Sequence, residues 1–284
     1  MAQSRHQDKS GRRERATEHR LEGDVLAEQG FIEEAIGKYE ASAHLDDQDP
    51  DTSVALGDAY FAANMPQQAY RAYKKALSIH PRHADAHFCL AEFWINISRF
   101  SAAIGALEKA VRCDPTKPYY QCRLGELYLR RGDFERASAR FRCAIELAPD
   151  DGFYHHRMAD LHARLGEWDA AADEYETAIA CSPAEDFYNV RLSVVYVRQS
   201  RFAKALQQLQ RAYLINPDSS VYLYLMGELL LVTGDRIGAT EAYRQAGPLD
   251  EYDRDWVRRW HLRAGLPSQL TRAGWDQEIC EGEY

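Results

Sequence analysis

The sequence predicts an all-α chain of about seven tandem helix-turn-helix units closed by a C-terminal capping helix. Three observations carry this. A 34-residue period runs without insertion from about Ala16 to about Asp253. Each period holds two apolar stripes at helical spacing with a turn between them. A single hairpin of this kind cannot bury both its faces, so neighbouring units must stack.

In that register the units span 16–49, 50–83, 84–117, 118–151, 152–185, 186–219 and 220–252. The twentieth position is alanine every time: Ala35, Ala69, Ala103, Ala137, Ala171, Ala205 and Ala239. The eighth is small, from Gly23 and Gly57 through Ala91, Gly125, Ala159 and Ser193 to Gly227. The twenty-seventh is Ser42 and then alanine from Ala76 to Ala246. Small residues at these places let two helices approach closely, and a large residue at the twenty-fourth, such as Tyr73 or Phe141, fills the space between them. Gly132-Asp133 marks a turn between the helices of the fourth unit, and Pro149 ends its second helix. Proline recurs at the thirty-second position in five units. The first has Asp47 there and the seventh Glu251, which leaves those helix ends open.

Outside the repeats, residues 1–15 read as a basic disordered arm; residues 1–20 carry six Lys/Arg against three Asp/Glu. Residues 253–266 read as the capping helix. Trp256 and Trp260 share one of its faces, either to cover the last repeat or to build a homo-oligomer interface. Residues 267–284 read as an acidic tail, whose Trp275 is a candidate to dock back on the array.

Composition narrows the function. A net charge of −9 argues against nucleic acid as a general partner. No apolar run is long enough to span a membrane, and no apolar leader segment is present, so a cytoplasmic location with reduced thiols is expected. The six cysteines include no C-x-x-C pair. Phosphate-loop, nucleophile-elbow and zinc-helix motifs are absent, and no catalytic residue or cofactor is expected. His80, His83 and His87, and separately His155, His156 and His162, have no metal-ligand signature and read as ordinary surface histidines.

The period, the small eighth, alanine at twenty and twenty-seven, the large twenty-fourth and the proline at thirty-two together resemble the tetratricopeptide repeat family over about residues 16–253. The resemblance implies a right-handed α-solenoid whose first helices line a concave groove that binds other proteins. It also implies that the sixth position can carry a ladder of side chains for a partner's extended backbone. Unit positions 2, 6, 9 and 13 fall on one helix face. In the fourth unit they are Tyr119, Arg123, Glu126 and Arg130. In the fifth they are Phe153, Arg157, Asp160 and Arg164, and in the sixth Phe187, Arg191, Val194 and Arg198. The family's clamp for a chaperone C-terminus uses Lys, Asn, Asn, Lys and Arg where the first three units have Arg20, Asp24, Ala55, Asp85 and Cys89, so that partner is not expected.

Two readings of the arginine stripe stand side by side. Glu126–Arg130 and Asp160–Arg164 are i,i+4 pairs worth about 0.3–0.5 kcal/mol each, and the aromatic–arginine couples add roughly 0.5–1 kcal/mol when exposed, so the stripe laces helices together. Alternatively, Arg191 and Arg198, with no acid three or four residues away on their own helix, meet the acidic side chains of a protein or peptide partner. Acids at the ninth position, including Asp24, Asp58 and Glu92, predict an acidic groove in the first three units. The function expected is a non-catalytic scaffold or adaptor; the alternative is a self-assembling structural protein that uses the tryptophan helix.

Overall fold

The computed structural model describes residues 2–266, with side chains from residue 10 onward. Fifteen helices and no strand occur among the described residues. The first hairpin is α1 (Ala2–Glu28) with α2 (Ile32–Leu45), followed by α3 (Pro50–Ala62) with α4 (Pro66–Ile79). Next come α5 (Ala84–Asn96) with α6 (Phe100–Cys113), and α7 (Pro118–Arg131) followed by α8 (Phe134–Leu147). The remaining hairpins are α9 (Gly152–Leu165) with α10 (Trp168–Cys181), α11 (Asp186–Arg198) with α12 (Phe202–Ile215), and α13 (Ser220–Thr233) with α14 (Arg236–Ala246). The last element is α15 (Glu251–Ala264). This is the all-α solenoid class of tandem helical repeats. Contacts divide it into two compact units, Met1–Arg140 and Phe141–Tyr284. Residues 2–15, expected as a disordered arm, are helical and belong to α1. The expected acidic tail and Trp275 lie outside the described residues.

The repeat pattern becomes packing directly. The alanines at the twentieth position are wholly buried, and the large residues at the twenty-fourth lie between 0% and 5% exposed. Each hairpin turns through a left-handed residue at its fifteenth position. Gly30, Gly132, Gly166 and Gly234 serve in four units, and Asn64, Ser98 and Ser200 hold φ of 58–59° in the others.

Two hydrogen-bond systems run through the repeats. Where the twenty-fourth residue is tyrosine, its hydroxyl donates to the acid at the ninth position of the same hairpin. These bonds are Tyr39–Asp24 at 2.9 Å, Tyr73–Asp58 at 2.7 Å, Tyr243–Glu228 at 2.8 Å, and Tyr175–Asp160. Where the eleventh residue is tyrosine, its hydroxyl donates to a glutamate of the preceding repeat: Tyr60–Glu40 at 2.6 Å, Tyr128–Glu108 at 2.7 Å, and Tyr196–Glu176. The other junctions set Trp94, His162 and Leu230 after Lys74, Arg142 and Gln210 at the matching positions, so tyrosine appears only where a glutamate awaits it.

At the C-terminal end, α14 has only 11 residues and stops at Gly247 (φ 68°), ahead of Pro248. Asp250 caps α15 by accepting from the Asp253 amide at 2.8 Å. α15 then packs on α11 and α13, the first helices of the sixth and seventh repeats, and so reaches back across two repeats. Val257, Trp260, His261 and Ala264 are its buried stripe.

Candidate protein-interaction surface

In the first unit the stripe residues lie on α7 beside α5. Tyr119 is 45% exposed, and its ring centroid lies 5.5 Å from that of Phe88. The neighbouring Tyr120 stacks on Phe88 at 4.8 Å and donates to Asp85. Arg123 reaches back to α5 with a two-pronged contact: Nε and Nη2 donate to Glu92 at 2.9 and 2.7 Å, and Nη1 donates to Glu126 at 2.5 Å. Hydrogen bonding to Glu92 outweighs burial and pushes its guanidinium pKa up. Arg130 lies 3.8 Å over the Phe100 ring. The ninth-position acids of this unit are likewise engaged. Asp24 takes the Tyr39 hydroxyl and, at 3.3 Å, Arg20; Asp58 takes Tyr73 and the Cys89 thiol at 3.7 Å. Burial raises the Asp58 carboxyl above its ordinary value, so the acidic ladder is partly an internal fastening.

In the second unit the centre is Asp160 on α9. It accepts from the Tyr175 hydroxyl and pairs with Arg191 on α11, and His156 Nε2 stands 3.2 Å from its other oxygen. Arg191 Nε also donates to the Tyr175 hydroxyl at 3.2 Å. Burial alone would raise the Asp160 carboxyl, but His156 beside it and the Arg191 charge hold it well below the usual range. Arg191 therefore finds its acid on the preceding repeat. Phe187, 38% exposed, meets His156 edge-on at 5.3 Å and lies under Arg191 at 5.8 Å. Arg157 lies over Phe153 at 4.8 Å, and Arg164 stands exposed near the end of α9.

Arg198 turns to α15. Its Nε donates to the Arg263 carbonyl at 2.6 Å and its Nη2 to the Leu262 carbonyl at 3.4 Å, while its guanidinium lies 5.5 Å over Trp168. A cation here satisfies the orphan carbonyls of a helix C-terminus and complements its dipole. The approach is so close that a Cβ on Gly265 would stand 2.5 Å from Arg198 Nη1.

α15 is held at two further points. Trp260 Nε1 donates to the Ser193 hydroxyl at 3.2 Å, and His261 Nε2 lies 3.2 Å from Glu228, both side chains almost wholly buried. Between α11 and α15 runs a crevice of about 40 Å³. Phe187, Val190, Arg191 and Val194 line one side and Trp256, Arg259, Trp260 and Arg263 the other.

The stripe residues thus divide. Arg123 and Arg191 bind acids across repeats, Arg198 binds α15, and Tyr119, Phe153, Phe187 and Arg164 present surface. Of the α15 residues that line the crevice, Trp256 and Trp260 were read as a cap or an oligomer face, and Arg259 and Arg263 were missing from the sequence reading. A signal for this contact was present in the sixth repeat, where Val194 replaces the acid at the ninth position. No group of histidine, cysteine, aspartate and glutamate suited to a metal ion occurs among the described residues. No helix among them is long and apolar enough to cross a membrane.

Stacked hairpins with charged and aromatic first-helix faces define a helical-repeat protein. Tetratricopeptide repeat models match residues 60–124 and 122–186. The chain is a tetratricopeptide-repeat protein. No curated protein matches it in sequence. Among solved structures it is similar to PilF of Pseudomonas aeruginosa, with a TM-score of 0.65 and 20% identity over 77% of this chain and 99% of that one. A tetratricopeptide repeat protein from Parabacteroides merdae gives 0.62 and 15% over 87% and 99%. YrrB, described as a TPR protein with an unusual peptide-binding site, gives 0.54 and 20% over 66% and 96%. At these identities the likeness is one of fold.

Proposed function

We propose that this tetratricopeptide-repeat protein is a non-catalytic scaffold or adaptor that binds an extended, acidic segment of another protein along its first-helix faces. The observation that supports this best is the second unit's surface. Phe153, Arg157, Arg164 and Phe187 present aromatic and cationic side chains there, and the buried Asp160 network beneath them holds the backbone of two successive repeats in place. Aromatic and arginine side chains on a rigid support are the usual anchors of a protein interface. The self-assembly reading loses its main anchor, because Trp260 is 3% exposed and spends its indole N–H on Ser193.

The test is affinity capture with the wild type and a Phe153→Ala/Arg157→Glu/Arg164→Glu variant side by side, followed by binding measurements with the purified protein that only the wild type retains. The expected result is loss of that partner with helicity unchanged. Equal affinity of the two proteins for it would refute the placement of the site.

A further inference from the structure

The crevice between α11 and α15 carries an unbalanced charge. Three guanidinium groups line it, from Arg191, Arg259 and Arg263. Two have their own acids: Arg191 pairs with Asp160, and Arg259 Nη2 lies 2.6 Å from Asp255. The Arg263 guanidinium has no ion pair or hydrogen bond among the described residues. Arg191 and Arg259 set like charge beside it, and Asp160, already paired with Arg191, offsets this only in part. Partial burial, and then the charge of Arg191, lower the Arg263 pKa from the ordinary arginine value. The carbonyls at the end of α15, which would repel an anion, are already taken up by Arg198. Phe187 and Trp256 flank the same crevice and supply flat apolar walls. A guanidinium without an ion pair of its own, lining one crevice with two other guanidinium groups and two aromatic side chains, favours an incoming carboxylate.

We propose that α15 supplies the second wall of the partner site, and that Arg263 receives an aspartate or glutamate side chain of an acidic peptide between Phe187 and Trp256. This rests on the scaffold reading above and names the chemistry of its partner at one position. The site is too small for a folded domain or a cofactor, and it suits a single side chain of an extended segment. α15 is thereby part of the binding surface as well as a fastening on α11 and α13.

The experiment uses the full chain and fluorescence anisotropy with three labelled probes: a twelve-residue peptide alternating glutamate with leucine and tyrosine, the same peptide with glutamine for glutamate, and a twelve-residue oligouridine. The proteins are wild type, Arg263→Glu, Arg263→Lys and Arg157→Glu, each checked for native tryptophan fluorescence as a sign that α15 stays docked. The proposal expects the glutamate peptide to bind wild type about tenfold or more tightly than the glutamine peptide. Arg263→Glu should lose a similar factor, Arg263→Lys less, and added salt should weaken the wild type most. If Arg157→Glu loses the peptide while Arg263→Glu keeps it, the α15 subsite is wrong and the first-helix surface stands. If neither substitution matters, or wild type ignores the glutamate peptide, both readings fall. Preference of wild type for oligouridine would overturn the acidic-peptide assignment.

Discussion

The tyrosine at the twenty-fourth position and the glycine at the eighth should behave as one unit. In the second repeat, a Cβ on Gly57 would stand 2.4 Å from Tyr73 Cε1 and 2.6 Å from Cδ1. Tyr73 is 2% exposed and anchored to Asp58 at 2.7 Å, so the ring has little room to retreat. Gly57→Ala therefore adds an overpacking cost of about 1–3 kcal/mol against a helix-propensity gain of about 1 kcal/mol. With leucine at 73 the ring is gone and only the gain remains. The third repeat already carries that combination as Ala91 with Leu107. The coupling in a double-mutant cycle of Gly57→Ala and Tyr73→Leu is thus about 1–3 kcal/mol, with the double variant more stable than the single effects sum to. The fifth repeat pairs Ala159 with Tyr175, both buried, which shows that a tyrosine can be accommodated and favours the lower end of the range. The assay is urea unfolding of the four proteins followed by helical circular dichroism, with unchanged m-values as the condition for comparison. A coupling below about 0.5 kcal/mol would refute the argument.

Two further outcomes follow from the same geometry. Ser98 is exposed and holds φ of 59° at a turn that four other repeats make with glycine; Ser98→Gly should raise stability by about 0.5–1 kcal/mol in the same assay, and a loss would contradict the strain argument. Burial and then hydrogen bonds to Glu40 and Glu176 push Tyr60 and Tyr196 up to about 12, against about 10 in an unfolded chain. Their contribution to stability is complete below pH 10 and is lost as the pH rises from 10 toward 12. Phenolate absorbance at 295 nm should therefore rise together with the loss of helicity; ionisation of these tyrosines near pH 10 with helicity intact would contradict it.

Much of the fold was legible because its determinants are local and periodic. Alanine at the twentieth position is required in every repeat by the same close approach, so it shows as a column of identical residues. The partners of the arginines were not legible. An acid three or four residues away on the same helix competes with an acid on the neighbouring repeat, and spacing along one helix does not say which is nearer. Glu126 engages Arg123 on its N-terminal side, and Asp160 engages Arg191 from the next repeat, where the i,i+4 rule pointed to Arg130 and Arg164. The tyrosine–glutamate pairs between repeats were written in the sequence as matched changes at positions eleven and twenty-five. They became readable only once the structure brought those positions within a hydrogen bond.

The sixth repeat shows how a departure from the pattern can be misread. Val194 stands where most repeats have an acid, and that absence suggested arginines left open for a partner. Val194 is 8% exposed and lines the crevice beside Trp260, while Ser193 takes the Trp260 indole N–H. A carboxylate at 194 would be desolvated beneath the indole at a cost of about several kcal/mol unless paired. The loss of the acid and the docking of α15 are therefore two sides of one packing arrangement. The same arrangement directs the arginines. With no acid three or four residues from its arginines, α11 sends Arg191 to Asp160, which fastens the fifth repeat to the sixth, and sends Arg198 to the end of α15. Any partner meeting this face encounters a surface set jointly by α11 and α15, and Arg263, whose guanidinium has no ion pair or hydrogen bond among the described residues, belongs to the helix that the repeat pattern does not contain.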